Sequence, residues 1–142
     1  MAIRFHFQKK VSLKQRRIVK DFILLIFSRE KKELANLDFV FCDNAYLLNI
    51  NRTFLNHDYF TDIITFEMSD QSASGIEGEI YISVEMISEN ASRFKEKVEE
   101  ELKRVMFHGV LHLCGYDDKT AHEKATMRKK ENYYLAMFHG EH

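Results

Sequence analysis

The sequence predicts an α+β domain with a small mixed four-stranded sheet and a helical C-terminal half. Two observations carry that prediction. Apolar residues recur with period two in four short stretches and with helical period in the segments between and after them, in the order strand, helix, strand, helix, strand, strand, helices. The chain has 142 residues, 45% apolar and 30% charged, enough for one domain over 1–142 with a sizeable core.

Each element has its own signal. IRFHF, residues 3–7, alternates apolar and polar as a half-buried strand does. Ser12 and Gln15 have the spacing of a capping box, and the apolar positions from Leu13 to Phe27 then predict an amphipathic helix over 12–30. LDFVFC, residues 37–42, is a second strand, and Asp43 or Asn44 caps a short helix through Asn51. DIITF, residues 62–66, is β-branched and reads as a third strand. The polar, small stretch 69–78 is a loop, and EIYISV, residues 79–84, is a fourth strand paired with the third. Residues 86–93 are helical. A stronger helix over 97–114 carries Glu99, Glu100 and Glu101 near its start, where the helix dipole favours acids. A last helix covers 119–138. With no proline anywhere, helix ends must come from caps and glycines.

The totals exclude some functions. A net charge of −1 gives no broad attraction to nucleic acid, so any RNA contact has to come from a local basic patch. Residues 16–20 (RRIVK) and 124–130 (KATMRKK) are the basic segments, and each also reads as a solvated helix face. Cys42 and Cys114 form no CxxC pair and read as reduced thiols, which places the protein in the cytoplasm. The longest apolar run, residues 22–27, is too short to span a bilayer, so no membrane role is expected.

Chemistry concentrates in HGVLHLCGYDD, residues 108–118. His108 and His112 stand four apart and share a helix face, so both imidazoles can reach one small cation. Gly115 can take a left-handed conformation, end the helix and turn the chain back. Asp118 is then placed to supply a carboxylate oxygen. The spacing is that of a zincin-like site on a helix near the C-terminus: one Zn2+ on His108, His112 and Asp118, with a fourth position left for water. Asp117 competes with Asp118 for the third place, and His122 is a lesser candidate on the next helix. Cys114 lies about 200° round the helix from His112 and reads as a small buried hydrophobe. In HExxH peptidases a Glu follows the first His as general base, but here that position is Gly109, which disfavours peptide hydrolysis. A glycine inside a helix costs roughly 1 kcal/mol against alanine. Close approach of substrate or of another backbone is the expected reason.

These residues resemble the signature of the YbeY family of bacterial endoribonucleases and rRNA maturation factors, H-G-x-L-H-L-x-G-Y-D-H, matching every specified position but the last. A second block, LNINRTFLNHDYFTDIITF over 48–66, resembles the family's L-N…D-x-x-T-D-[VI]-[LI]-[ST]-F through Leu48, Asn49, Asp58, Thr61, Asp62, Ile63, Ile64, Thr65 and Phe66. A third, GEIYIS over 78–83, resembles its G-[DE]-I-x-I strand. There are two departures. Asp118 stands where the family has a histidine ligand, which adds a negative charge and makes bound water less acidic. Leu55 stands where the family has an arginine that serves RNA cleavage; Arg52 lies three residues earlier and is expected to face elsewhere.

The resemblance implies a zinc-dependent endoribonuclease that cuts single-stranded RNA in small-subunit rRNA maturation and ribosome quality control. Its expected partners are rRNA and the small ribosomal subunit, with no DNA substrate. Asp58 and Asp62 are the candidate general bases, and each also reads as a residue satisfying turn amides. Leu55 keeps a second reading open: a ribosome-associated assembly factor with a structural metal and little catalysis.

Overall fold

The computed structural model describes residues 2–69 and 74–140. Four strands, β1 (Ile3–Phe7), β2 (Leu34–Cys42), β3 (Ile63–Glu67) and β4 (Ile76–Ser83), form one sheet in the order β1-β2-β4-β3. β1 and β2 are parallel, β2 and β4 are parallel, and β3 runs antiparallel to β4. Five helices complete the described residues: α1 (Arg16–Arg29), α2 (Asn44–Leu55), α3 (Val84–Arg93), α4 (Val98–Leu113) and α5 (Ala121–Phe138). The mixed four-stranded sheet, the α+β class and the pairing of the third and fourth strands are as the sequence predicts.

Strand alternation divides the apolar residues between two faces. Leu37, Phe39, Phe41, Ile80 and Ile82 join the main core with buried residues of α1, α4 and α5. Ile64, Phe66 and Tyr81 point the other way, into a smaller cluster with Cys42, Leu47 and Ile50 beneath α2.

Helix α4 lies unusually close to the sheet. A Cβ on Gly109 would sit 2.8 Å from Ile80 Cδ1 and 3.0 Å from Ile63 Cδ1, and one on Gly78 would sit 2.8 Å from Leu113 Cδ1. The glycine behind His108 therefore makes room for two sheet isoleucines, not for substrate or for another backbone. The helical cost of Gly109 is offset by burial of α4 against β3 and β4, and that contact sets where the histidines stand.

Several boundaries differ from the sequence reading. Helix α1 begins at Arg16, and Ser12 forms no capping box: Gln15 is left-handed at the N-cap, with no side-chain cap bond. The chain before it is held by tertiary contacts, with Leu13 buried and the Lys14 amide donating to Glu99 Oε1 at 2.9 Å. Asp43 does cap α2, accepting from the Tyr46 amide at 2.8 Å, but α2 runs on to Leu55. β2 and β4 each start three residues early, because Leu34 pairs with Ile76. Gly75, at φ +152°, lets the chains meet there; its Cβ would fall 3.0 Å from the Ala35 nitrogen. The predicted loop over 69–78 thus gives up residues 76–78 to β4, and its residues 70–73 lie outside the described residues.

Candidate metal centre and cleft

The last two turns of α4 carry His108 and His112 on the face turned away from Ile80. Gly115 follows at φ +106°, its amide donating to the His112 carbonyl at 3.0 Å, and the chain reverses. Asp118 returns to the imidazoles. His108 Nε2 and His112 Nε2 are 3.0 Å apart, and Asp118 Oδ2 lies 3.2 Å from the first and 3.5 Å from the second. Ligands at about 2.0–2.1 Å from a tetrahedral zinc stand about 3.3 Å from one another. The three atoms already form such a triangle, and His108, His112 and Asp118 are the one group of this kind among the described residues. Asp117 and His122 are exposed and outside it.

The second nitrogen of His108 is engaged behind the site. Nδ1 donates to Glu131 Oε2 at 2.7 Å, which leaves the Nε2 lone pair directed at the triangle. Glu131 is 4% exposed, and Arg104 Nη1 donates to its Oε1 at 3.2 Å, so the buried charge is paired. Burial works against protonation of His108, but the bond and charge of Glu131, with the charges of Asp118 and Asp62, hold its pKa above the usual histidine range. Helix α5, which carries Glu131, starts at a true capping box between Thr120 and Glu123. That box was readable in the sequence; Glu131 itself, 23 residues from His108, had no local signal.

The triangle opens on a cleft of about 820 Å³. One stripe of α4, Glu101, Arg104, His108 and His112, lines it at helical spacing, a pattern visible in the sequence but assigned there only to its two histidines. Lys124 and Arg128 of α5 border it, so of the two basic segments the second reaches the site. Residues 16–20 do not line it; Arg16 and Lys20 stack over the Phe7 and Phe5 rings.

Asp62 also borders the cleft. Its carboxylate accepts from Asn90 Nδ2 at 3.3 Å, and burial lifts its pKa, with the nearby charge of His108 acting in the opposite sense. Asp58 is exposed, paired with the Arg52 guanidinium, and is not among the cleft residues. Arg52 is thereby turned to Asp58, and Leu55 occupies the rim. Cys42 and Cys114 are free and buried, and burial pushes both thiols up to about 12. A thiol in that state is a packing group, not a metal ligand or nucleophile.

Comparison with known proteins gives this geometry a context. A family model described as Endoribonuclease YbeY matches residues 3–139. The chain belongs to that family. A Flavobacterium psychrophilum protein named Endoribonuclease YbeY is 42% identical over 137 residues, covering 96% of each chain. A Cytophaga hutchinsonii protein of the same name is 45% identical over 125 residues, covering 88% of this chain and 87% of the relative. The solution structure of a Thermotoga maritima protein superposes with a TM-score of 0.61 at 26% identity, over 97% of this chain and 89% of that one. Within the YbeY family, then, this chain offers a carboxylate as one of three side chains that could hold a metal, and its cleft carries a leucine beside the aromatic residues His57 and Tyr59.

Proposed function

We propose that residues 1–142 act as one YbeY-like metal-dependent hydrolase domain, a zinc-dependent endoribonuclease that cuts single-stranded RNA in the cytoplasm during small-subunit rRNA maturation and ribosome quality control. The observation that carries the reading is the triangle of His108, His112 and Asp118, backed by Glu131 and open to a cleft with Arg104, Lys124 and Arg128 on its walls. Two imidazole nitrogens and one carboxylate oxygen at tetrahedral spacing suit zinc. A bound zinc ion supplies Lewis acidity toward a phosphoryl oxygen and acidifies water.

The chain's own side chains supply the rest. Glu131 holds the His108 ring in one orientation. Lys124 and Arg128, the exposed cations of the cleft, neutralise phosphates of the RNA backbone without reading sequence. Asp62, on the cleft wall, is assigned to take a proton from the attacking water at a carboxylate oxygen. Asp58, held by Arg52 outside the cleft, has no part in that step. No helix of the described residues is long and apolar enough to cross a membrane.

The test is cleavage of an unstructured RNA oligonucleotide by the parent and His112→Ala proteins, with and without chelator, beside metal analysis of each. The expected result is one metal per parent chain, chelator-sensitive cleavage, and a folded His112→Ala protein that has lost both. An unchanged rate in His112→Ala defeats the reading. Leu55 on the cleft rim, where the family has arginine, favours the assembly-factor alternative. Normal rRNA maturation in cells that carry only His112→Ala would select it.

A further inference from the structure

We propose that the segment linking α2 to β3 is a stacking wall for one unpaired RNA base, with Tyr59 as the ring that receives it and His57 as its support. The proposal rests on the RNA reading above and adds to it the residues that would distinguish single strands from duplex.

Three residues of this segment, His57, Tyr59 and Thr61, line the cleft beside Leu55, the last residue of α2. The segment therefore forms one wall of the site between α2 and β3. The Tyr59 ring is 56% exposed, unusual for a large ring beside a deep cleft. It is nevertheless held. The His57 ring stacks on it, with centroids 5.2 Å apart and planes at 24°, and His57 Nδ1 lies 3.1 Å from the tyrosine hydroxyl.

The backbone beneath is anchored as well. Asn51, 1% exposed, donates from Nδ2 to the Tyr59 carbonyl at 2.9 Å, and the His57 amide donates to the Asn51 carbonyl at 3.1 Å. A left-handed Asn56, at φ 55°, ends α2 and starts the turn that presents the segment. An exposed aromatic ring on a fixed support loses little freedom when it binds a flat ligand.

What shares the cleft with this wall decides the occupant. Lys124 and Arg128 line the same cleft, and both are exposed cations on α5. A flat π-surface and phosphate-seeking cations in one cleft match a nucleotide, whose base and phosphate need those two partners. The base must be free to leave its neighbours. In a duplex both faces of each base are already covered, so only a single strand can use the wall. Leu55 on the same rim offers apolar contact to the nucleobase and no charge to the phosphate.

The experiment measures the affinity of the metal-loaded full chain for a short unpaired RNA oligonucleotide and for the same strand with an abasic site at each position in turn. The proteins are the parent, Tyr59→Ala and Tyr59→Trp. Tyr59→Ala is expected to weaken binding of the intact strand about tenfold or more, the scale of one stacked base. Tyr59→Trp should restore it. On the strand whose abasic site removes the stacked base, parent and Tyr59→Ala should bind alike.

An unchanged affinity in Tyr59→Ala overturns the proposal. So does an equal loss on intact strands and every abasic strand. If the parent cleaves RNA while these outcomes appear, only the stacking wall fails. A parent that neither binds nor cleaves RNA takes the functional reading down with it.

Discussion

His108 Nδ1 lies 2.7 Å from Glu131 Oε2, across the contact between α4 and α5. This bond reserves the other ring nitrogen for the metal triangle and ties the orientation of the ligand to a helix that starts after the site. Glu131→Gln keeps the shape but weakens the acceptor. Partners of this kind are worth about 10–100-fold in metal affinity. We expect Glu131→Gln to bind zinc more weakly by that factor, measured by competition with a chelating dye. An affinity equal to the parent's would leave Glu131 with a packing role only.

Asp118 contributes one oxygen to both imidazoles, at 3.2 and 3.5 Å. Asp118→His replaces the oxygen with an imidazole nitrogen, which serves zinc as well as carboxylate does. Asp118→His is expected to keep one metal per chain. Asp118→Ala should lose more affinity than Glu131→Gln does. Elemental analysis after dialysis would show it, and a full metal load in Asp118→Ala would remove this residue from the site.

Gly109 has sheet side chains where a Cβ would go, at 2.8 and 3.0 Å. A branched side chain there must push α4 off β3 and β4. Overpacking of this kind costs roughly 1–3 kcal/mol, and Gly109→Val belongs at the upper end. A denaturant titration should show the midpoint falling with an unchanged slope. A midpoint at the parent value would mean that Ile80 and Ile63 have room to move.

Glu30 ends α1 and accepts from Tyr116 at 2.7 Å, from Lys130 at 3.3 Å and from Tyr134. Tyr116 belongs to the turn that returns Asp118, so this carboxylate anchors the metal loop from behind. Burial acts to raise the Glu30 pKa, but the three donors outweigh it and hold it below the ordinary glutamate value. A folded-state pKa that is depressed contributes stability above the unfolded value, about 4.3, and loses it as the pH falls through the folded value. Glu30→Gln should therefore be less stable than the parent by about 1.5–3 kcal/mol at pH 7, the range for hydrogen bonds to a charged group. The gap should close as the pH drops below about 4. Denaturation curves at a series of pH values would show this, and a gap that does not narrow as the pH falls would contradict it.

The site was legible where its geometry is local. His108, His112, Gly115 and Asp118 fall within eleven residues, and helical spacing plus one left-handed glycine is enough to bring them together. Glu131 and Asp62 were not tied to His108 by any such spacing, because helix packing, not periodicity, brings α5 and the start of β3 to α4. The Ser12–Gln15 pair shows the converse. A valid capping pattern went unused, since Glu99 holds the Lys14 amide and Leu13 is drawn into the core.

The sequence by itself determined the strand and helix order, the α+β class and the grouping of His108, His112 and Asp118, because these depend on periodicity and on contacts a few residues apart. Tertiary structure alone decided the strand order β1-β2-β4-β3, the reason for Gly109, the engagement of Glu131 with His108, and the exposure of Tyr59 over the cleft. Those rest on which surfaces are buried against which. Burial is a property of the whole packed chain, and no window of neighbouring residues encodes it.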